Sequence, residues 1–306
     1  MKISVVMTTY NGEKYIKEQL TSLKNQTRVP DEVLIFDDCS TDNTVTIVRN
    51  FIIENPSGNY RLFENKKNKG WRQNFMEGFA DAQGDIIFPC DQDDIWFEDK
   101  IENMEKIMEE NENILLLTSK YELLYADDNA PRISAVFPET KGNAILQKPD
   151  LKHKWMHIRG IGSVFAFRRK LLETAQHMWC EEMAHDVCLW EAAYLSGGLY
   201  FYNRPTIFYR RHDKNASGFA TYGRKKNRDI ICSYLKMLDS EREELNRQGN
   251  GDWDRELKRQ NTFWQLRLKL NEKRDIISWF RLLGYLNYFR RKRNILSDLY
   301  SAYLKE

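Results

Sequence analysis

The residues best suited to chemistry concentrate in Cys90-Asp91-Gln92-Asp93-Asp94, directly after the apolar run Ile86-Ile87-Phe88-Pro89. Three carboxylates at the end of a buried strand repel one another and lose hydration unless a cation neutralises them. They offer oxygen ligands only, which suits Mg2+ or Mn2+ rather than zinc. An ion held there can bridge diphosphate oxygens, so the cluster points to an enzyme acting on a nucleotide-activated substrate. The competing reading is an Asp-rich surface turn beside the helix expected from Glu98. A second acidic pair, Asp37-Asp38, also ends an apolar run and continues as Cys39-Ser40-Thr41-Asp42. A carboxylate here can accept the N3–H of uracil or thymine, a donor that cytosine lacks. Helix capping by Ser40 and Asp42 accounts for those two residues but does not require the paired Asp before them. Tyr10, after the first apolar run, offers a ring on which a base can stack.

Positioning these residues requires strands that end at a common edge. Over the first 120 residues, β-rich runs (Ile3–Thr8, Glu32–Phe36, Tyr60–Phe63, Asp85–Pro89, Ile114–Thr118) alternate with helical patterns. The helices are expected at Tyr15–Asn25, Thr41–Asn55, Trp71–Ala82 and Glu98–Asn111, the last burying Ile101, Met104, Ile107 and Met108. Such alternation predicts an α/β fold with a mainly parallel sheet flanked by helices. Ligands on these sheets sit beyond the carboxyl ends of the strands, where Thr9-Tyr10-Asn11, Asp37-Asp38 and Asp91–Asp94 all fall. From about 122 to 160 the pattern loosens around Pro131, Pro138, Gly142 and Pro149. It returns with Gly162–Arg168, Asp186–Ser196 and Leu199–Tyr209, and from Tyr222 onward the chain reads as helices.

The 306 residues are 42% hydrophobic and 30% charged, an ordinary balance for a soluble protein. No run approaches the roughly 18–20 apolar residues of a membrane span, and the N-terminus does not read as a signal peptide. Five cysteines without a CxxC argue against a disulfide framework and for a reducing cytoplasm. The net charge of +2 hides an asymmetry, because residues 221–306 hold 20 Lys and Arg against 12 Asp and Glu. The rest of the chain is correspondingly acidic. A domain of 1–220 followed by a basic, aromatic-rich helical extension of 221–306 is therefore expected.

Taken in order, Val5-Val6-Met7-Thr8-Thr9-Tyr10-Asn11-Gly12, Asp37–Asp42, and Gly84-Asp85 leading into Asp91–Asp94 resemble a family 2 glycosyltransferase of GT-A fold. His185-Asp186 and Tyr209-Arg210-Arg211-His212-Asp213-Lys214-Asn215-Ala216-Ser217-Gly218 resemble the bacterial rhamnosyltransferase-like branch. The likeness covers about 1–220. It implies that Thr8, Tyr10 and Asp38 hold the base with help from Asp37, that Asp91 contacts ribose or sugar, and that Asp93 binds the metal. His212 would be a further metal or diphosphate ligand and Arg72 would reach a phosphate. Asp186 would be the catalytic base; taken alone, an Asp before Val187-Cys188-Leu189-Trp190 reads as a helix N-cap. Cys39 stands where the family usually has Gly or a small polar residue. Gly162 and Ser163 would line the acceptor floor, with Trp155, His157 and Trp179 available to stack on a sugar ring.

The resemblance implies a single inverting displacement by an acceptor hydroxyl on a UDP- or dTDP-sugar, dTDP-rhamnose among them. The acceptor would be a saccharide or lipid-linked molecule in bacterial surface polysaccharide synthesis. A nucleotidyltransferase is the competing enzyme, although Thr9-Tyr10-Asn11-Gly12-Glu13 is not a Gly-rich basic phosphate loop. A carbohydrate-binding relative without catalysis would be expected to lack one of Asp38, Asp93 or Asp186, and all three are present. In the extension, Phe263–Leu270 and Trp279–Leu286 interleave aromatics with basic residues ahead of Arg290-Arg291-Lys292-Arg293. Helices of this kind either lie on the inner face of an anionic membrane or pack into a subdomain or homo-oligomer. Nucleic acid is not expected as a partner, because the acidic body offers no matching groove.

Overall fold

The computed structural model describes residues 1–138, 144–213, 215 and 224–303. In chain order the first half runs β1 (Ile3–Thr9), α1 (Ile16–Lys24), β2 (Glu32–Asp37), α2 (Thr44–Glu54), β3 (Tyr60–Glu64), α3 (Trp71–Asp81), β4 (Ile86–Asp91), β5 (Ile95–Trp96) and α4 (Lys100–Glu110). There follow β6 (Leu116–Tyr125), β7 (Leu146–Gln147), β8 (Phe165–Arg168), α5 (Leu171–Met178), α6 (His185–Leu195) and β9 (Leu199–Arg211). The helices α7 (Arg224–Arg247), α8 (Asp254–Lys273), α9 (Ile276–Leu282) and α10 (Asn294–Tyr303) complete it. The chain forms two compact units. One comprises 1–150, 158–176 and 184–215; the other comprises 151–157, 177–183 and 216–306. The boundary expected at 220 lies outside the described residues, as do Lys214 and Ala216–Gly218 of the Arg-rich motif.

The first unit is built on a sheet whose strands among the described residues run β3-β2-β1-β4-β8-β6-β9-β5, with β7 also on β9. The strands β3, β2, β1 and β4 are parallel, whereas β8 inserts antiparallel between β4 and β6. All seven residues of β1 are buried, as are all six of β2, which is why both read as unbroken apolar runs rather than alternating ones. Pro89 cannot donate to a ladder, and its position removes the penalty: β8 pairs only with Ile86 and Ile87, leaving the end of β4 open on that side. Gly84 lets the chain pass β1 closely, since a Cβ there would lie 2.6 Å from the Ser4 backbone nitrogen. The parallel registers set Thr9 opposite Asp37 and Thr8 opposite Asp91, so the three polar clusters share one sheet edge.

α2 begins later than its sequence suggests. Ser40 does not cap it; its hydroxyl donates to Asp37 Oδ1 at 2.6 Å instead. Asp42 accepts the Thr44 N–H at 2.9 Å, so the first turn starts at Thr44.

The second unit is a helical core around Phe263 and Trp264, both nearly or fully buried. Tyr234 stacks on Trp264 with ring centroids 4.0 Å apart. Arg267 lies over Trp264 and Phe263, its charge met by Asp298 through bonds of 2.6 and 2.7 Å. Phe263, Trp264, Leu266 and Leu270 therefore build a core with Arg267 against it, and these aromatic rings are not available to a membrane surface.

Candidate active site

Each cluster is fixed by hydrogen bonds among the loops that follow the strands. Asp37 accepts from the Thr9 hydroxyl at 2.8 Å, and from Ser40 through both its amide (2.8 Å) and its hydroxyl. Its carboxylate is committed to holding the β1 and β2 loops together. Asp38 receives Asn65 Nδ2 (2.9 Å), the Lys69 amide (2.8 Å) and the Gly70 amide (2.8 Å). Three of a carboxylate's roughly four lone-pair positions are thus taken by the loop entering α3, and one remains for a ligand. That loop delivers Arg72 in the first turn of α3, its guanidinium 4.7 Å from the Trp71 ring. Cys39 between these elements has a φ of 66°, left-handed backbone in which glycine is unstrained.

Gln92, which the sequence pattern left unassigned, joins the two strand-end loops. Its Oε1 accepts the Tyr10 amide at 2.9 Å and its Nε2 donates to the Tyr10 carbonyl at 3.0 Å. This clamp holds the backbone and leaves the Tyr10 ring 49% exposed, free to take a planar ligand. Thr8 is buried beneath it.

The acidic cluster is electrostatically incomplete. Burial, then Asp93, then Asp186 push the Asp91 carboxyl up to about 7, and Ser163 offsets this only in part. Burial followed by Asp93 and Asp91 also raises Asp94 well above the carboxylate range. Asp94 is structural, its Oδ1 accepting the Arg210 amide at 3.0 Å. Asp93 Oδ2 lies 2.7 Å from His212 Nε2 and 3.3 Å from Asn215 Nδ2. The His212 ring stands 5.1 Å from that of Tyr15. Among the described residues no group of three His, Cys, Asp or Glu side chains could by itself hold a metal. Two adjacent side-chain ligands nevertheless fit Mg2+ or Mn2+, which commonly take one or two protein ligands and complete their shell with phosphate and water. A cation there would also relieve the burial and mutual repulsion that raise the Asp91 and Asp94 carboxyls. Arg210 cannot supply that charge to a substrate, because its guanidinium is engaged by Glu18 and by the Asp93 carbonyl at 2.8 Å.

A buried lysine, also unanticipated, underlies the cluster. Lys100 Nζ donates to the Ser163 carbonyl at 2.5 Å and sits 3.5 Å from the centroid of the Trp96 ring. Burial lowers its pKa to about 7 against the pull of Cys90, Asp94 and Asp91. The turn it anchors, Gly162–Val164, precedes β8 and faces α6. A Cβ on Gly162 would lie 2.7 Å from His185 Nε2 and 3.3 Å from Asp186 Cβ.

Asp186 is not an N-cap. Ala184 occupies that position, and Asp186 lies in the first turn of α6, its Oδ1 accepting the Val187 amide at 2.9 Å. Burial raises its pKa, while the Val187 N–H, its own N–H, Arg72 and the Gly162 N–H pull it back. Asp186 is therefore within electrostatic reach of both Asp91 and Arg72. The neighbouring His185 is a neutral spacer: burial, then Arg72, hold its pKa at about 3, and its ring packs 4.0 Å from Phe75.

The proposed acceptor residues divide between the units. Gly162 and Ser163 belong to the first, and Trp155, His157 and Trp179 do not. Trp155 is fully buried, 6.0 Å from the Trp253 ring, and has no face to offer a sugar. His157 Nε2 lies 2.9 Å from the Tyr288 carbonyl. Trp179 is half-buried and donates its indole N–H to the Met183 carbonyl at 3.1 Å.

A sheet with nucleotide-type loops and carboxylates gathered at its strand ends defines the GT-A class of sugar transferases. The chain belongs to glycosyl transferase family 2, whose family model matches residues 4–176. It is 29% identical over 225 residues to the dTDP-rhamnosyl transferase RfbG of Shigella flexneri, covering 69% of this chain and 73% of the relative. Its fold resembles that of Staphylococcus aureus TarS 1-349 in complex with UDP-GlcNAc, with a TM-score of 0.62, 21% identity and coverage of 99% and 90%. It also resembles the mannosyltransferase PcManGT of Pyrobaculum calidifontis in complex with GDP-Man and Mn2+, with a TM-score of 0.54, 14% identity and coverage of 100% and 88%. The expected α/β GT-A architecture and the glycosyltransferase class are thus met. No helix among the described residues is long and apolar enough to cross a membrane.

Proposed function

We propose that this glycosyltransferase moves a sugar, with inversion, from a UDP- or dTDP-sugar to a hydroxyl of a saccharide or lipid-linked acceptor, and that it does so with Mg2+ or Mn2+. The observation carrying this reading is Asp186, a carboxyl of raised pKa that interacts with both the strand-end Asp91 and the cationic Arg72. A raised pKa makes the carboxylate a stronger proton acceptor toward a hydroxyl. The similarity to a dTDP-rhamnosyl transferase supports a dTDP-sugar, and the N3–H edge that thymine shares with uracil keeps UDP beside it.

In the proposed reaction Tyr10 stacks on the base and the free lone pair of Asp38 accepts its N3–H. Asp91 orients the ribose or sugar, and Arg72 meets a phosphate oxygen. Asp93 and His212 would hold the metal, which when bound neutralises charge on the departing diphosphate. Asp186 takes the proton of the acceptor hydroxyl while the acceptor oxygen forms its bond to the anomeric carbon. The carbon–oxygen bond to the diphosphate breaks in the same displacement, and the electron pair leaves with the diphosphate. A single displacement from the opposite face inverts the anomeric centre.

The test is Asp186→Asn. Turnover should fall by roughly 10²–10⁴, the range for loss of a general base, with nucleoside diphosphate affinity kept within a few-fold. NMR of the wild-type product should show an inverted anomer. A retained anomer, or an Asp186→Asn variant as active as wild type, would overturn the mechanism. Failure of the wild-type protein to turn over any donor would favour the non-catalytic relative.

A further inference from the structure

The helices α9 and α10 carry large apolar side chains on their exposed faces as well as on their buried ones. On α9, Ser278 and Leu282 are buried, while Ile277 and Phe280 are 66% and 61% exposed. On α10, Ile295, Asp298, Ser301 and Ala302 are buried, while Leu296 and Tyr300 are 61% and 52% exposed. Ile276, Phe280 and Leu283 recur at i, i+4 and i+7, as do Leu296, Tyr300 and Tyr303, so each set forms one continuous stripe. Ile276 meets Leu296, Leu299, Tyr300 and Tyr303 around a groove of about 480 Å3, so the α9 stripe joins that of α10 at its first residue. The Trp279 indole N–H donates to the Ile295 carbonyl at 3.2 Å and ties the helices together. Apolar residues scattered singly on a surface are ordinary, but a contiguous outward face of this kind marks an interaction site.

The charge beside it identifies the occupant. Arg291, Lys292 and Arg293 are exposed and form the turn into α10, their carbonyls accepting the amides of Asn294, Ile295 and Leu296. None of the three has an ion pair among the described residues. Cations at a helix N-terminus oppose the helix dipole, so they contribute nothing to folding α10. Three unpaired cations one turn from exposed Leu296, on the helix whose stripe continues through Tyr300 and Tyr303, match an interface of negative headgroups above acyl chains. We propose that the α9–α10 face docks on an anionic lipid surface, with Ile277, Phe280 and Leu296 entering the acyl boundary and Arg291–Arg293 meeting the headgroups. This assignment stands on the second unit alone and is independent of the donor reading.

Full-length protein should co-sediment with phosphatidylcholine vesicles containing about a third phosphatidylglycerol, and should not pellet with phosphatidylcholine alone. The variants R291E/K292E/R293E and I277S/F280S change exposed side chains only. Each should melt as wild type does and bind the anionic vesicles at least tenfold more weakly. Absence of pelleting by the wild type, or equal pelleting by both variants, would overturn the proposal. So would a wild-type dimer in sedimentation equilibrium that I277S/F280S converts to monomer, because the face would then be a self-association surface.

Discussion

Replacing Gly162 by Ala adds one methyl group at the junction between the Gly162–Val164 turn and the proposed base. That methyl would lie 2.7 Å from His185 Nε2, against the 3.4 Å at which ordinary contact begins, so about 0.7 Å must be found. His185 cannot easily yield it. Its ring is backed by Phe75 at 4.0 Å, Trp71 at 5.6 Å and Phe79 at 5.8 Å. The displacement should therefore pass to the first turn of α6 and to Asp186, whose Cβ would lie 3.3 Å from the new methyl. A misplacement approaching 1 Å can cost on the order of a hundredfold in rate, so kcat should fall roughly ten- to a hundredfold. Overpacking should also lower stability by about 1–3 kcal/mol. The assay is nucleoside diphosphate release at saturating donor with acceptor present, beside calorimetric affinity for the same nucleotide. The nucleotide loops rest on Asp37, Asp38 and Gln92, so that affinity should stay within about threefold. A folded variant with kcat within twofold of wild type would refute the reasoning. So would a rate loss matched by an equal loss of nucleotide affinity.

Two further outcomes follow from particular side chains. With φ at 66°, Cys39→Val should destabilise the protein by about 1–2 kcal/mol while Cys39→Gly remains within about 1 kcal/mol of wild type; equal denaturation midpoints for the two would contradict the strained-turn assignment. His185 has a folded-state pKa of about 3 against an ordinary 6.5, so below pH 6.5 the unfolded chain binds a proton that the folded chain refuses. Its contribution to stability is complete above pH 6.5 and is lost as the pH falls toward 3, at up to about 1.4 kcal/mol per pH unit. Urea titrations across that range should give His185→Leu a shallower acid slope than wild type, and parallel slopes would show that the imidazole is not buried neutral.

Much of the first unit was legible because its central strands are buried on both faces. Ile3–Thr9 and Glu32–Asp37 declare themselves by composition, and the crossover helices between them follow from period and length. The antiparallel partners of the second half were not legible: β5 and β7 have two residues each, too few for any pattern. The acidic cluster could be found because Asp is costly at a strand end, whereas Gln92 and Lys100 carry no such signal. Their roles depend on a bidentate backbone clamp and on an accepting carbonyl 63 residues away. Ser40 and Asp42 look like capping residues in sequence, but Ser40 instead closes a local turn on Asp37, three residues back, through both its amide and its hydroxyl. Aromatic residues were the hardest to place. Trp155 and the Phe263–Leu270 stretch have the composition of a sugar platform and a membrane face, yet Trp155, Phe263 and Trp264 are core. Periodicity shows that a residue has an apolar neighbour but not whether that neighbour is protein, sugar or lipid.

The proposed nucleotide-sugar site is metal-assisted and built on Asp38, Asp91, Asp93 and His212. Calorimetry of UDP, dTDP, GDP and CDP, with and without Mn2+, on wild type and on Asp93→Ala tests it most directly. The account predicts Mn2+-dependent binding of UDP or dTDP to wild type, weak binding of CDP, and loss of the Mn2+ dependence in the variant. Binding that ignores both Mn2+ and Asp93, or no binding of any of the four, would contradict it.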